Sequence, residues 1–154
     1  MTESPIVELR VLDPRLNKWG LPRYQSAMAA AVDLYACIDQ TLILAPGDPA
    51  VLISSGIAVH MAASGMAAIV LPRSGMGHKR GLVLGNLVGL IDADYTGPVM
   101  VSAWNRNASE KITIDPGERF AQMMFVPVLR PEFRVVATFS VISERGAGGF
   151  GSTG

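Results

Sequence analysis

The sequence predicts an all-β sandwich or barrel, and three observations carry that prediction. Short apolar segments rich in Val, Ile and Leu recur along the chain. Turn-forming breaks separate them, and no long segment holds a helical period. The strands are expected in this order. Val7–Leu12 ends at Asp13-Pro14, and Val32–Ile38 and Thr41–Leu44 lead to Ala45-Pro-Gly-Asp-Pro49. Val51–Val59 and Ala67–Leu71 flank Gly65, and Leu87–Ile91 is cut from Val99–Trp104 by Thr96-Gly-Pro98. Lys111–Ile114 stops at Asp115-Pro-Gly117, and Ala121–Val128 and Phe133–Val141 complete the set. Pro46-Gly47 and Pro116-Gly117 put proline where φ is already fixed and glycine where a turn needs φ > 0. Only Ser74–Lys79 reads as a short helical turn.

At 154 residues the length fits one domain. Residues 1–142 form the β domain and 143–154 a C-terminal arm, with no repeat or linker before it. Basic and acidic residues balance at 13 each, and the pI is 6.7. No general basic field exists for nucleic acid or an anionic membrane, so neither is an expected partner. Any bound anion must be held by a local site. Hydrophobic residues make up 49% and mean hydropathy is +0.33, yet no apolar run approaches the ~20 residues of a membrane span. That apolar excess points to subunit interfaces. Met1–Glu8 has no basic region followed by an apolar stretch, so no signal peptide is read. A single cysteine, Cys37, excludes an internal disulfide, fits a reducing cytoplasm and suits a small buried hydrophobe. His60 and His78 form no ligand cluster with it, so a zinc site of the usual kind is not expected.

Five segments carry polar residues that a plain β core does not need. Asp33 lies inside the apolar run Ala31–Ala36, where a charge is costly unless it pairs with an arginine, is hydrogen-bonded or lies near a metal. Leu71-Pro-Arg-Ser-Gly-Met-Gly77 holds the parts of an anion cradle, or of an ordinary surface turn. In Gly85–Gly97, Asn86 can donate and accept together, as reading a pyrimidine edge requires. Asp92 closes an apolar strand where it could orient or deprotonate a water, and Tyr95 offers a flat face to a sugar or base. Arg119 and Gln122 open another apolar strand. The last segment, Arg145–Gly154, has five glycines, Phe150, Ser152 and Thr153. It reads either as a Gly/Ser tail or as a phosphate-sized nest with an aromatic cover. It is not a Walker A loop, since no lysine precedes the Ser-Thr pair.

Together and in this order, these segments resemble the five motifs of the trimeric dUTP nucleotidohydrolases (dUTPases) in their bacterial form. The pieces are Val32–Ala36, Pro72–Gly81, Gly85–Tyr95, Glu118–Gln122 and Arg145–Gly154, so the resemblance spans about Val7 to Gly154. It implies a jelly-roll β fold forming a homotrimer with shared active sites, in which the arm closes over a neighbour's site. It further implies Mg²⁺-assisted hydrolysis of dUTP to dUMP and pyrophosphate in the cytoplasm. Position by position, Asp92 resembles the carboxylate that activates water. Tyr95 resembles the aromatic beneath the deoxyribose, and Asn86 the uracil reader, helped by backbone at Gly89 and Leu90. Ser74, Gly75 and Gln122 resemble the phosphate cradle, with Arg73 nearby. Asp33 is similar to the aspartate that meets Mg²⁺ through water. In the arm, Phe150 would cover uracil, and Arg145, Gly151, Ser152 and Thr153 would hold the outer phosphates. The chain departs from the pattern at Ser26–Val32, where alanines replace a Ser/Gly-rich turn and predict a reshaped one. A dCTP deaminase, which shares the fold, uses a glutamate as proton shuttle, so Asp92 with Tyr95 fits the hydrolase better. A catalytically silent nucleotide-binding trimer fits the intact Asp92 and the complete arm less well.

Overall fold

The computed structural model describes residues 5–62, 65–141 and 146–147. Its strands are β1 (Glu8–Val11), β2 (Val32–Tyr35), β3 (Leu42–Leu44), β4 (Val51–His60) and β5 (Met66–Pro72). After them come β6 (Leu82–Leu84), β7 (Gly89–Ile91), β8 (Pro98–Asn105), β9 (Ile112–Ile114) and β10 (Arg119–Pro127). The helical content is the four-residue α1 (Leu16–Trp19) and a π-helical turn over Gly75–Lys79. The strands form two antiparallel four-stranded sheets, β1-β4-β8-β6 and β2-β10-β5-β7, and a two-stranded sheet, β3-β9. This is the all-β architecture that the apolar segments predicted, in the jelly-roll-like form that the resemblance implied.

Alternation explains which strands face the core. In β8, Val99, Val101 and Ala103 point inward while Pro98, Met100 and Trp104 point out. Phe120, Leu34, Ile53, Ile57, Ile112, Ile114 and Met123 are among the fully buried side chains. Each such apolar side chain contributes roughly 1.5–3 kcal/mol by leaving water. All four residues of β2 are buried, which puts Asp33 inside the protein beside Leu34. Both Pro-Gly turns form as expected. The Asp48 N–H donates to Ala45 O with Gly47 at φ +83°, and the Glu118 N–H donates to Asp115 O with Gly117 at φ +77°. These are type II turns, whose third position needs positive φ. The alanine-rich stretch turns through an Ala29 N–H to Ser26 O bond, with no positive φ between residues 26 and 31.

Three segments differ from expectation. Phe133–Val141 is irregular: it has no strand partner among the described residues, and Phe133 and Val135 are 92% and 99% exposed. An apolar segment becomes a strand only where an edge is available to pair with it. β6 is too short, between Gly81 and Gly85, to show a period of its own, and α1 is a single turn whose Leu16 is buried in the core. Among the described residues no helix is long and apolar enough to cross a membrane.

Candidate active site

Residues 84–100 build the first part of the site from one contiguous stretch. β7 runs antiparallel to β5, with Gly89 opposite Val70 and Ile91 opposite Ala68. The turn entering β7 is tight. The Leu87 N–H donates to Leu84 O at 2.9 Å and the Val88 N–H to Asn86 O at 2.7 Å, with Leu87 at φ +65°. A leucine held in the left-handed region costs on the order of 1 kcal/mol or more. That strain sits in the residue next to Asn86. Beyond β7 the Tyr95 N–H donates to Asp92 O at 3.1 Å, and the Tyr95 hydroxyl donates to Pro98 O at 3.0 Å.

These turns enclose a cavity of about 230 Å³. Asn86, Gly89, Leu90, Asp92 and Tyr95 all line it, so five of the expected residues share one wall. Val70, Ile91, Pro98, Val99 and Met100 complete the lining. Met100 was missed in the sequence; the period-two reading of Val99–Trp104 puts it on the outward face, next to the Asp92–Gly97 turn. Asp92 is exposed and also borders a second cavity of about 520 Å³, whose polar lining includes His60, Asp94 and Arg130. Among the described residues no side chain hydrogen-bonds or ion-pairs with the Asp92 carboxylate.

The second part lies across the same sheet. Gln122 on β10 stands opposite Asp33 on β2 and Leu71 on β5. Arg73 Nε meets Asp33 Oδ1 at 2.8 Å, and Arg119 Nη1 meets Asp33 Oδ2 at 3.1 Å. Arg73 Nη1 also donates to the Arg119 carbonyl at 3.0 Å, so the two guanidinium groups are locked to one another through Asp33 and the backbone. Asp33 thus resolves as an arginine-paired carboxylate, and the cluster keeps one surplus positive charge. Its guanidiniums are partly exposed, at 34% and 42%, which suits a polyanion. The Gln122 amide donates to the Pro72 carbonyl at 3.0 Å and so fixes the exit from β5.

Ser74 and Gly75 are exposed at the start of the π-helical turn. Arg80, at the end of that turn, pairs with Glu118 and donates to the Thr113 carbonyl. Glu118 in turn accepts from the Asp115 N–H, which ties the turn to the start of β10. Arg73, Ser74, Gly75 and Gln122 do not line the 230 Å³ cavity, so one chain brings the anion residues to the sheet but not into the pocket. His78 is exposed, as a surface residue should be. Arg145, Phe150, Gly151, Ser152 and Thr153 lie outside the described residues.

No trio of His, Cys, Asp or Glu side chains among the described residues is grouped to hold a metal ion. The described carboxylates therefore do not fit a protein cage for a hard cation such as Mg²⁺. Cys37 lies outside the site and packs partly buried against the core. Burial, followed by the nearby Asp13 charge, pushes its thiol up to about 11. It stays protonated at neutral pH and is a poor nucleophile.

A small cavity whose rim carboxylate has no side-chain partner among the described residues, near the surplus positive charge of the arginine cluster, suits a phosphorylated small molecule better than a polymer. The sequence profile of the dUTPase family matches residues 17–154, and the chain belongs to that family. The Psychromonas ingrahamii deoxyuridine 5'-triphosphate nucleotidohydrolase is 55% identical over 149 residues, covering 96% of this chain and 97% of the relative. The Sodalis glossinidius protein of the same name is 54% identical over the same coverage. The dUTPase of Staphylococcus bacteriophage 80alpha, solved with dUPNHPP, superposes with a TM-score of 0.84 at 27% identity, covering 98% of this chain and 99% of that one.

Proposed function

We infer that this chain is a dUTP diphosphatase that hydrolyses dUTP to dUMP and pyrophosphate, keeping uracil out of DNA and supplying dUMP for dTTP synthesis. The observation that carries this reading is the exposed Asp92, without a side-chain partner among the described residues, at the rim of the pocket that Asn86 and Tyr95 share. Asp92 holds a water and orients it toward the α-phosphorus. The new P–O bond forms as the bond to the pyrophosphate oxygen breaks, and the water's proton passes to the Asp92 carboxylate and then to solvent. Aspartate side chains are weak bases, ionised at neutral pH, so positioning contributes more than proton abstraction.

Asn86 reads the uracil edge with backbone groups at Gly89 and Leu90. Cytosine fails for lack of the matching donor–acceptor pattern and thymine for lack of room for its methyl group. Tyr95 lies beneath the deoxyribose and leaves no space for a 2′-hydroxyl. Ser74, Gly75 and Gln122 cradle phosphates near Arg73. The arm, residues 143–154, covers the bound nucleotide: Phe150 lies over uracil, and Arg145, Gly151, Ser152 and Thr153 hold the outer phosphates. Asp33 would reach a magnesium ion through water, and the ion would supply charge neutralisation of the triphosphate there. Asp33's other task is to set the two arginines that face the same phosphates.

The working unit in this reading is a homotrimer. Its support is the separation of pocket from anion residues within one chain, together with the exposed apolar segment that includes Leu129, Phe133, Val135 and Phe139. A cytoplasmic setting follows from the unpaired Cys37 and from a nucleotide substrate. Phosphorus NMR of the protein with Mg²⁺ and dUTP, beside dCTP, dTTP and UTP, tests the whole scheme. Pyrophosphate from dUTP alone is expected. Ammonia release from dCTP would make the chain a deaminase, and no turnover of any nucleotide would make it a silent binder.

A further inference from the structure

Tyr95 is folded back over the residues that follow it. Its hydroxyl donates to the Pro98 carbonyl at 3.0 Å, so the phenol crosses the backbone at Gly97. A Cβ placed on Gly97 would stand 2.5 Å from the phenolic oxygen, 2.7 Å from Cζ and 3.1 Å from Cε2. Carbon does not approach other heavy atoms that closely, so any side chain at 97 must displace the ring. The backbone itself makes no such demand, because the φ of Gly97 lies outside the left-handed region. The ring is also the partner that can give way: Tyr95 is 45% exposed, and the far end of its side chain carries the contact. Glycine at 97 is therefore required by where the tyrosine lies and not by the fold of the strand.

We propose that Gly97 is a positioning residue for sugar selectivity: its missing side chain lets the Tyr95 ring lie flat along the wall of the nucleoside pocket. Tyr95, Asp92 and Pro98 all line that cavity, so a ring shifted by even one methyl group changes its floor. The inference rests on the reading of Tyr95 as the surface beneath the deoxyribose. A ring lifted from Gly97 opens space for a 2′-hydroxyl and weakens the contact with the deoxy sugar at the same time. Discrimination between dUTP and UTP falls from both sides, while the fold, whose core lies elsewhere, is unaffected.

The test is a double-mutant cycle read as the ratio of kcat/KM for dUTP to that for UTP, in the full-length chain with Mg²⁺. Gly97→Ala should lower the ratio about tenfold or more, with an unfolding midpoint within about 2 °C of the parent. Tyr95→Ala should lower it at least as far. Gly97→Ala added to Tyr95→Ala should change it less than about twofold, since the ring that alanine would strike is gone. A ratio unchanged in Gly97→Ala overturns the proposal, as does the same fall in both backgrounds. Should Gly97→Ala fail to fold, a double variant that folds and matches Tyr95→Ala supports the ring contact, and a double variant that also fails assigns Gly97 to the fold and overturns it. A parent protein that does not prefer dUTP removes the reading of Tyr95 and this proposal together, whereas a selective parent with an additive cycle removes only Gly97.

Discussion

The surroundings of Asp92, just past β7, and of Asp33, on β2 of the same sheet, treat a carboxylate in opposite ways. Asp92 is exposed, borders two cavities and has no charged partner among the described residues. Asp33 is buried, with its side chain 9% exposed and each oxygen held by a different arginine. The Asp92 pocket comes from contiguous residues, Asn86 to Met100, apart from Val70. The Asp33 cluster draws on β2, the end of β5 and the start of β10. A carboxylate that must act on water has to be left free and wet, since pairing would quench it. One that must aim two guanidiniums has to be buried and paired, since otherwise its desolvation would oppose folding.

If that division of labour holds, the largest single effect belongs to Asp92. Asp92→Asn keeps the shape and removes the base, so turnover should fall by about 10²- to 10⁴-fold. Binding of a non-hydrolysable dUTP analogue, measured by calorimetry, should stay within a few-fold of the parent. Undiminished pyrophosphate release would take Asp92 out of the mechanism and leave the contrast with Asp33 without a function.

Deleting Gly146–Gly154 asks whether the two regions suffice without the arm. Turnover should drop at least about a hundredfold, because the outer phosphates lose their orientation. Light scattering should give the same molecular mass per particle as for the intact chain. A truncated protein with full activity would show that pocket and arginine cluster need no cover.

How far the site could be read from the sequence follows the same divide. Asn86, Gly89, Leu90, Asp92 and Tyr95 were readable because tight turns on either side of β7 keep near neighbours together whatever the rest of the fold does. Met100 escaped because an outward methionine on a strand looks like interface until the turn beside it is seen. Asp33 left three options open, and only the registers of β2 and β5 on β10 bring both arginines to it. The core strands were plain from apolar runs and from Pro-Gly turns whose glycines take positive φ. Phe133–Val141 carries the same apolar signature yet forms no strand, because composition says which residues suit a sheet and not which edge will receive them.

Asp33→Asn inverts the ranking seen with Asp92. It leaves two partly exposed guanidiniums facing a neutral amide, and we expect a loss of about 2 kcal/mol in urea unfolding, discounted for that exposure. Asp92→Asn should cost less than about 0.5 kcal/mol in the same experiment. Equal stability losses would mean that Asp92 also has a structural partner, and would collapse the distinction between the two carboxylates.

The smallest effect comes from the same pairing chemistry with one arginine in place of two, at a half-buried site. Asp13 accepts from Arg15 through Nε, Nη2 and the backbone N–H, and Arg15 also stacks over Trp19 at 5.1 Å. The Arg15 hydrogen bond, against a smaller opposing effect of burial, holds the Asp13 carboxyl below its ordinary 3.8. A depressed value in the folded state means that the pair stabilises above the unfolded pKa and that this stability is lost as pH falls through the folded one. Asp13→Asn should therefore cost about 1 kcal/mol or less at neutral pH, discounted for the partly exposed Arg15. The gap between variant and parent should narrow as pH is lowered below about 4. Urea midpoints of both proteins at neutral pH and at about pH 3 measure it. A gap that widens on acidification would mean that Arg15 does not keep Asp13 ionised, and that burial, as at Asp33, is what makes an arginine–aspartate pair matter in this protein.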